Sequence, residues 1–517
     1  MKRLLGAVAL LLVTSVSLSQ QQREVRVQTH PIPPSREQLD RLNLTMAWRT
    51  KLPMDGLRDG LAFVQLIPGK EFPLLLVQTY QGATIAMNAE TGDTLWYTTV
   101  SRSYDTTQPA GFNSQTIFVA RREYVYALDR DTGKPYPFDF DPLTKQPTYG
   151  FQLESVPSTG LVADENAVYV CFSERVIRYA VPNFRVAFKA IERPLKAGTN
   201  YELPQLIREG IYNTLSGVLL NTPILRGQKL VLPGANGNIS IIDKLDMATA
   251  FRFVTGGEIP GGTANSKAFL FAGSTDYFVY AIDMNRGTLV WRFAAESPVI
   301  RMPEATDRDL FVTPAKRGMF CLDPVTGGMR WNNPDAVKML AVNNRFVYTL
   351  DRVGHLLVLD YDRGKTLARW DTRDWVVPVS NDMTDRIYLA NHDGQIVCLH
   401  HRDLVKPLKV KTFEELEPPA KVKKEEEDKA PKVEKEKDME KEKEKDEKDE
   451  KKDEKKDEKK DEKAKDNKVG CGEVFPSPGL EAPPPHAALH SLRHWAEITV
   501  PLWLDYRQRA LHHAIPT

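Results

Sequence analysis

The chain has 517 residues, of which 41% are hydrophobic and 27% charged, with a formal net charge of +1. It is long enough to bury a substantial core, and the near-zero balance argues neither for nucleic acid nor for another highly charged partner. That balance hides a split, because the charged residues crowd toward the C-terminus.

Residues 1–19 read as an export signal. Lys2 and Arg3 precede an apolar run from Leu4 to Val16 that is short for a membrane span, and Ser17-Leu18-Ser19 offers small residues for cleavage. No Cys follows the run, so a lipid anchor is not expected. After cleavage no transmembrane span is expected. The mature protein is expected in the periplasm or outside the cell. Residues 20–43 are polar, with Pro31, Pro33 and Pro34, and read as a leader without a core of its own.

From residue 44 to 410 the chain repeats a two-strand unit. Its clearest copy is Asp276 to Phe293, in which Tyr277–Ile282 and Thr288–Phe293 flank the turn Asp283-Met-Asn-Arg-Gly287. Asn88, Gly92 and Trp96 form a second copy, and Asp323, Gly327 and Trp331 a third. In each, an Asp or Asn stands four residues before a Gly, with an aromatic eight residues on (Trp291 in the copy at Asp283). Anchoring on that Asp extends the series. Asp129 has Gly133, with Pro137 where Trp is expected. Asp243 has Phe251, and Ala180 has Phe188. Asp360 has Gly364, with Trp370 two residues late, and His400 closes the series. The steps between anchors are 41, 51, 63, 40, 40, 37 and 40 residues. A period near forty residues indicates a propeller, here with eight repeats. Gly82, Gly237, Gly354 and Gly394 lie six residues before their anchors and suit tight hairpins.

Each part of the unit has a physical role. The Gly supplies the positive φ of a tight turn. The aromatic offers a flat face to the neighbouring blade, since one four-stranded sheet cannot bury both faces alone. Small residues two before the anchor (Ala86, Ala127, Ala281, Cys321, Cys398) suit crowded strands. Thr45–Leu52, with Trp48 in the aromatic position, resembles the last strand of a repeat but lacks the preceding turn. The eighth repeat has the turn but no Trp afterwards. The N-terminal strand is therefore expected to complete the eighth blade and close the ring.

The pattern Ala-x-Asp-x-x-Thr-Gly-x-x-x-Trp resembles the PQQ-type β-propeller repeat, which quinoprotein dehydrogenases share with non-enzymatic envelope propellers. The resemblance implies an all-β, eight-bladed propeller, and the charged tail that follows it is expected from its composition to be disordered. It leaves two functions open: a scaffold that binds a protein partner, or a dehydrogenase holding PQQ and Ca²⁺ over the central channel. The second needs groups for three carboxylates, an oxygen-ligated Ca²⁺ and a base. The carboxylates of Asp129, Asp243, Asp283, Asp323 and Asp360 are expected to be occupied at their turns, and no two cysteines are adjacent. No cofactor and no catalytic residue is therefore assigned. Nucleophile motifs, a phosphate-cradling Gly loop and HExxH are all lacking. A monomer that binds a protein of unknown identity, and no nucleic acid, is the expected state.

The long steps mark insertions at Phe138–Gly150 and around Lys189–Leu215, the second with a short helix expected over Leu206–Leu215. Insertions on a regular scaffold are where partners often bind. Cys171, Cys321 and Cys398 are expected as small core residues. Residues 411–468 form a charged linker, and Lys421–Lys468 alone holds 20 Lys and 21 Asp plus Glu. With nothing apolar to bury, it is expected to be solvated and protease-sensitive. Residues 469–517 differ again. His486, His490 and His494 share one helical stripe and are the candidate metal ligands, while Leu489, Leu492, Trp495, Ile498, Leu502 and Trp503 suggest an amphipathic segment. Binding through this tail, with the propeller as carrier, is the third functional reading.

Overall fold

The repeat turn is the local unit from which the rest is built. In Asp323-Pro-Val-Thr-Gly327 the Asp side chain accepts the amides of Val325 and Thr326, both at 2.9 Å. The Gly327 amide closes the turn on the Asp323 carbonyl at 2.9 Å, with Gly327 at φ 72°. The same closure joins Gly92 to Asn88, Gly133 to Asp129, Gly287 to Asp283 and Gly364 to Asp360. Each turn follows the third strand of a four-stranded antiparallel sheet and, except at Gly133, leads directly into the fourth.

A computed structural model describes residues 31–411, apart from 57, 70, 102–104, 142, 145, 192–202, 215–216 and 268. Within them lie eight such sheets, the blades of a propeller, and one small hairpin. Blades one to seven run in chain order from Leu61–Ile67 to Thr366–Asp371. The eighth takes Val377–Val379, Ile387–Ala390 and Gln395–His401 from the C-terminal side and Leu44–Lys51 from the N-terminal side. Trp48 faces Cys398 in that last pairing, so the ring closes as the repeat pattern indicates.

The core is distributed rather than central. Eight buried clusters each draw on two neighbouring blades; one joins Leu76, Ala86 and Trp96 of blade one to Ile117, Val119 and Leu128 of blade two. Each sheet thus buries its faces only against its neighbours, as stacked repeats do. A recurrent bulge precedes the aromatic in the fourth strand. The register shifts opposite Ala86/Met87, Ile241/Ile242, Ala281/Ile282, Cys321/Leu322 and Val358/Leu359. A bulge bends its strand and re-aims the next side chain. Here that side chain is the aromatic, opposite the small residue two before the anchor: Trp96 on Ala86, Trp291 on Ala281, Trp331 on Cys321.

The aromatic then docks on the next blade. The Trp331 ring lies against Gly364, where an added Cβ would come within 2.3 Å of it, and its indole N–H donates to the Tyr361 carbonyl at 2.8 Å. The same pairing joins Trp48 to Gly92 and Ala89, Trp96 to Gly133 and Arg130, and Trp291 to Gly327 and Pro324. Phe251 packs on Gly287 without the N–H. In blade seven Ala368 fills the aromatic register opposite Val358, and Trp370, two residues on, joins the core shared with blade eight.

The leader is not without a core. Helix α1 (Arg36–Arg41) starts at a capping box made by Ser35 and Gln38, and Leu39 and Leu42 are buried with blades seven and eight. The segments expected as an export signal, as the charged linker past Lys411 and as the His-containing tail lie outside the described residues. Among the described residues no helix is long and apolar enough to cross a membrane.

Candidate functional site

In blades two and three the repeat is broken. The fourth strand of blade two comes only at Gly150–Gln152, after a hairpin made by Asp139–Phe140 and Pro147–Thr148. Blade three inserts helix α2 (Phe184–Ile191) before its fourth strand, Ile207–Asn213. The expected helix over Leu206–Leu215 is therefore a strand. Gly210 weakens a helix there, and the open edge of Arg175–Ala180 takes up the backbone groups of this segment instead. The helix lies earlier, capped by Asn183, whose side chain accepts the Val186 amide at 3.1 Å. Phe188, expected as the blade's aromatic, sits on that helix rather than on the fourth strand.

The two insertions fuse into one lobe. Phe184 and Phe188 both stack on Tyr136, at centroid distances of 4.9 and 5.2 Å. Phe138 meets Phe184 edge-on at 5.8 Å and Phe151 at 5.6 Å. Arg185 closes the lobe onto the scaffold, donating through Nε to Asp129 Oδ2 at 2.7 Å and through Nη2 to Asp131 at 2.7 Å. Tyr136 donates its hydroxyl to the same carboxylate at 2.8 Å. Burial alone would raise the Asp129 pKa, but hydrogen bonds from Arg185, Tyr136 and Thr132 overcome it and hold the carboxyl at about 2. One repeat anchor has thus become the pin of an added element.

The lobe leaves apolar side chains in water: Phe140 and Leu143 of the hairpin and Val186 of α2, with Leu143 92% exposed. It lies on the propeller face that carries the turns between third and fourth strands. The chain from Leu404 to Lys411 is tied down on the same face. Arg386 donates to the Leu404 and Val405 carbonyls, Leu408 pairs with Asp385, and the Val410 carbonyl accepts the Asp307 amide of blade six.

The predicted site residues divide by role. Asn88, Asp129, Asp243, Asp283, Asp323 and Asp360 each use the side chain on amides of their own turn. Glycines 92, 133, 287, 327 and 364 all have positive φ. Cys171, Cys321 and Cys398 are free, buried thiols, and burial pushes that of Cys171 up to about 12. Among the described residues no cluster of three or more His, Cys, Asp or Glu has the placement to hold a metal. Sequence reasoning missed Asp309, which is 2% exposed and accepts from Arg330 at 2.5 Å and from Tyr361 at 3.0 Å. Arg330 and Tyr361 stand in different blades, so this carboxylate ties blade six to blade seven. Burial raises its pKa, against the pull of Tyr361 and Arg330.

Residues 235–403 match the family described as "Outer membrane protein assembly factor BamB". The crystal structure of BamB from Moraxella catarrhalis superposes with a TM-score of 0.51 at 15% identity, covering 69% of this chain and 97% of that one. The chain has the fold of a β-propeller, and residues 235–403 are similar to PQQ-like repeats. A computationally designed protein, Ika8, is also similar in structure, with a TM-score of 0.47 at 12% identity over 68% of this chain and 98% of its own. No curated protein sequence matches the chain. The matched span runs from the last two strands of blade four to the C-terminal strands of blade eight, and the insertion lobe lies outside it.

Proposed function

We propose that this protein is an exported, non-enzymatic propeller that binds a protein partner of the cell envelope through the lobe of blades two and three. The observation that carries the reading is the fusion of two insertions, from different blades, into one aromatic lobe with Phe140, Leu143 and Val186 left exposed. Exposed apolar groups held on a rigid scaffold favour association. The name of the matched family, an outer-membrane assembly factor, supports placement in the envelope.

The dehydrogenase reading asks the repeat carboxylates to hold Ca²⁺ and substrate, yet they are committed to their own turns. The test is affinity purification from envelope extracts, comparing the intact chain with a Leu143→Asp/Val186→Asp variant. A partner captured by the first and lost by the second supports the reading. A partner captured equally by both sinks it. Titration with PQQ and Ca²⁺ is expected to leave no quinone absorbance on the protein after gel filtration. Retained, stoichiometric quinone with dye reduction on adding alcohol would reinstate the enzyme.

A further inference from the structure

On the face where the chain passes from blade to blade, away from the lobe, Arg301 stands at the entry to blade six and Arg352 in a turn of blade seven. The segment that carries Arg301 is packed hard, since a Cβ added to Gly261 would come within 2.3 Å of its backbone. The guanidinium is fixed as well, donating through Nη1 to the Val337 carbonyl at 2.7 Å. That leaves the edge formed by Nε and Nη2 without a partner among the described residues, and this edge is not sealed from solvent. Arg121 makes the contrast, because its unpartnered Nε and Nη1 are closed off.

Two more cations crowd the open edge. Burial lowers the Arg301 pKa; Glu304 opposes that, and the like charge of Arg352 adds to it. Lys338 follows the same pattern, with burial lowering its pKa, Glu304 opposing and Arg301 adding. The Lys338 Nζ has only the Pro378 carbonyl, at 3.3 Å. Glu304, the carboxylate that both cations feel, is committed elsewhere. It accepts the Met339 amide at 2.9 Å and the Ser380 hydroxyl at 2.7 Å.

Three cations held together in a half-buried setting repel one another, and an anion entering the open edge relieves that repulsion. We propose that this edge receives an Asp or Glu side chain from an acidic peptide loop, forked on Nε and Nη2 of Arg301 in the field of Lys338 and Arg352. The planar edge matches a carboxylate with two parallel N–H bonds. Ile300 and Val353, next to the two arginines in the chain, are 38% and 50% exposed and offer aliphatic contact to the residues beside the acid. That apolar flank favours a peptide over a free anion. A basic tip is repelled by the same three charges. The site stands independently of the function assigned to the lobe.

Titration of the full chain with N-acetylated Leu-Asp-Leu amide, followed by ligand-detected NMR, tests it, with the Leu-Asn-Leu and Leu-Lys-Leu amides beside it. The Asp peptide is expected to bind about tenfold more tightly than the Asn peptide, the worth of a charge-assisted hydrogen bond. Arg301→Gln should erase that preference, and Arg301→Lys should not restore it in full, because an ammonium lacks the fork. The Leu143→Asp/Val186→Asp variant should keep it, which separates this site from the lobe. Equal binding of the Asp and Asn peptides overturns the proposal, as does a preference that survives Arg301→Gln. An Asp peptide that shows no saturation by about 10 mM also overturns it. Phosphatidylglycerol vesicles held by the wild type and released by Arg301→Gln, with no preference among the peptides, would replace it with a lipid site. Should Arg301→Gln fail to fold, Arg352→Gln at an exposed position should still cut the Asp preference about threefold, and an unchanged preference there overturns the proposal.

Discussion

Blades five, six and two are built on the same turn, yet blade two, with blade three beside it, closes against its neighbour in a different way. In blades five and six a Trp docks on the next blade's Gly and donates its indole N–H to the next blade's backbone. In blades two and three that Trp is absent, and an inserted helix supplies Phe184 and Phe188 to stack on Tyr136 instead. The Asp anchor changes partners accordingly. Asp283 serves only its own turn, whereas Asp129 also holds Arg185 from the added helix. Where the packing unit is intact the blade carries no ornament, and where it is replaced the replacement projects beyond the scaffold.

Truncating the packing residue should separate the two modes most. Trp331→Ala is expected to cost about 3–5 kcal/mol in chemical unfolding, since a 5% exposed indole leaves a cavity between blades. Phe188→Ala, on a half-buried helix face, is expected to cost less than half as much. A similar cost for both would erase the distinction.

The glycines sharpen it further. Gly327→Ala is expected to cost about 2–4 kcal/mol, because φ is 72° and the new Cβ would lie 2.6 Å from the Trp291 ring. Gly227→Ala, at φ 52° with nothing within 4 Å, should cost only about 1 kcal/mol. The difference between the two unfolding midpoints measures the contact apart from the backbone strain.

Much of this was legible because the turn is local. Asp, Gly and aromatic stand within nine residues, so one stretch of sequence carries the turn, the bulge and the docking ring. The aromatic of blade seven was less so: Trp370 is visible in the sequence, but that Ala368 takes the register position depends on strand pairing. The strand Ile207–Asn213 was misread because the unpaired edge that recruits it lies about thirty residues earlier. Arg185 gives no local sign of its partner Asp129, 56 positions away. The open edge of Arg301 was not legible at all. Arg301, Lys338 and Arg352 come from two blades, and the innermost strand beside Arg301, Glu304–Ala305, is too brief to show a period.

Smaller effects test the lobe. Arg185→Met is expected to cost about 1.5–3 kcal/mol at neutral pH by leaving a mostly buried carboxylate short of donors. Because the folded Asp129 pKa is depressed to about 2, its contribution is fully present above the unfolded carboxylate value near 3.9 and is lost as pH falls toward 2. Urea titrations of wild type at pH 5 and pH 2.5 should show that loss, and Arg185→Met should flatten it. Leu143→Asp should change stability by less than about 0.5 kcal/mol, since the side chain is 92% exposed. A larger loss would mean that the hairpin tip is packing rather than surface.

Ring closure also has a consequence in time. The strand Leu44–Lys51 leaves the ribosome among the first parts of the propeller, but its partner Gln395–His401 is among the last. Asp40 and Arg402, which meet beside that pairing, are 362 positions apart. Until synthesis is nearly complete, the first strand therefore has an unpaired backbone, and blade one lacks the Trp48 ring that packs on Gly92. Contacts of such separation form late and slowly. The intermediate that waits for them exposes an unpaired strand and an apolar sheet face at each end of an open arc, the state in which a chain of this kind is most prone to associate with the wrong molecule.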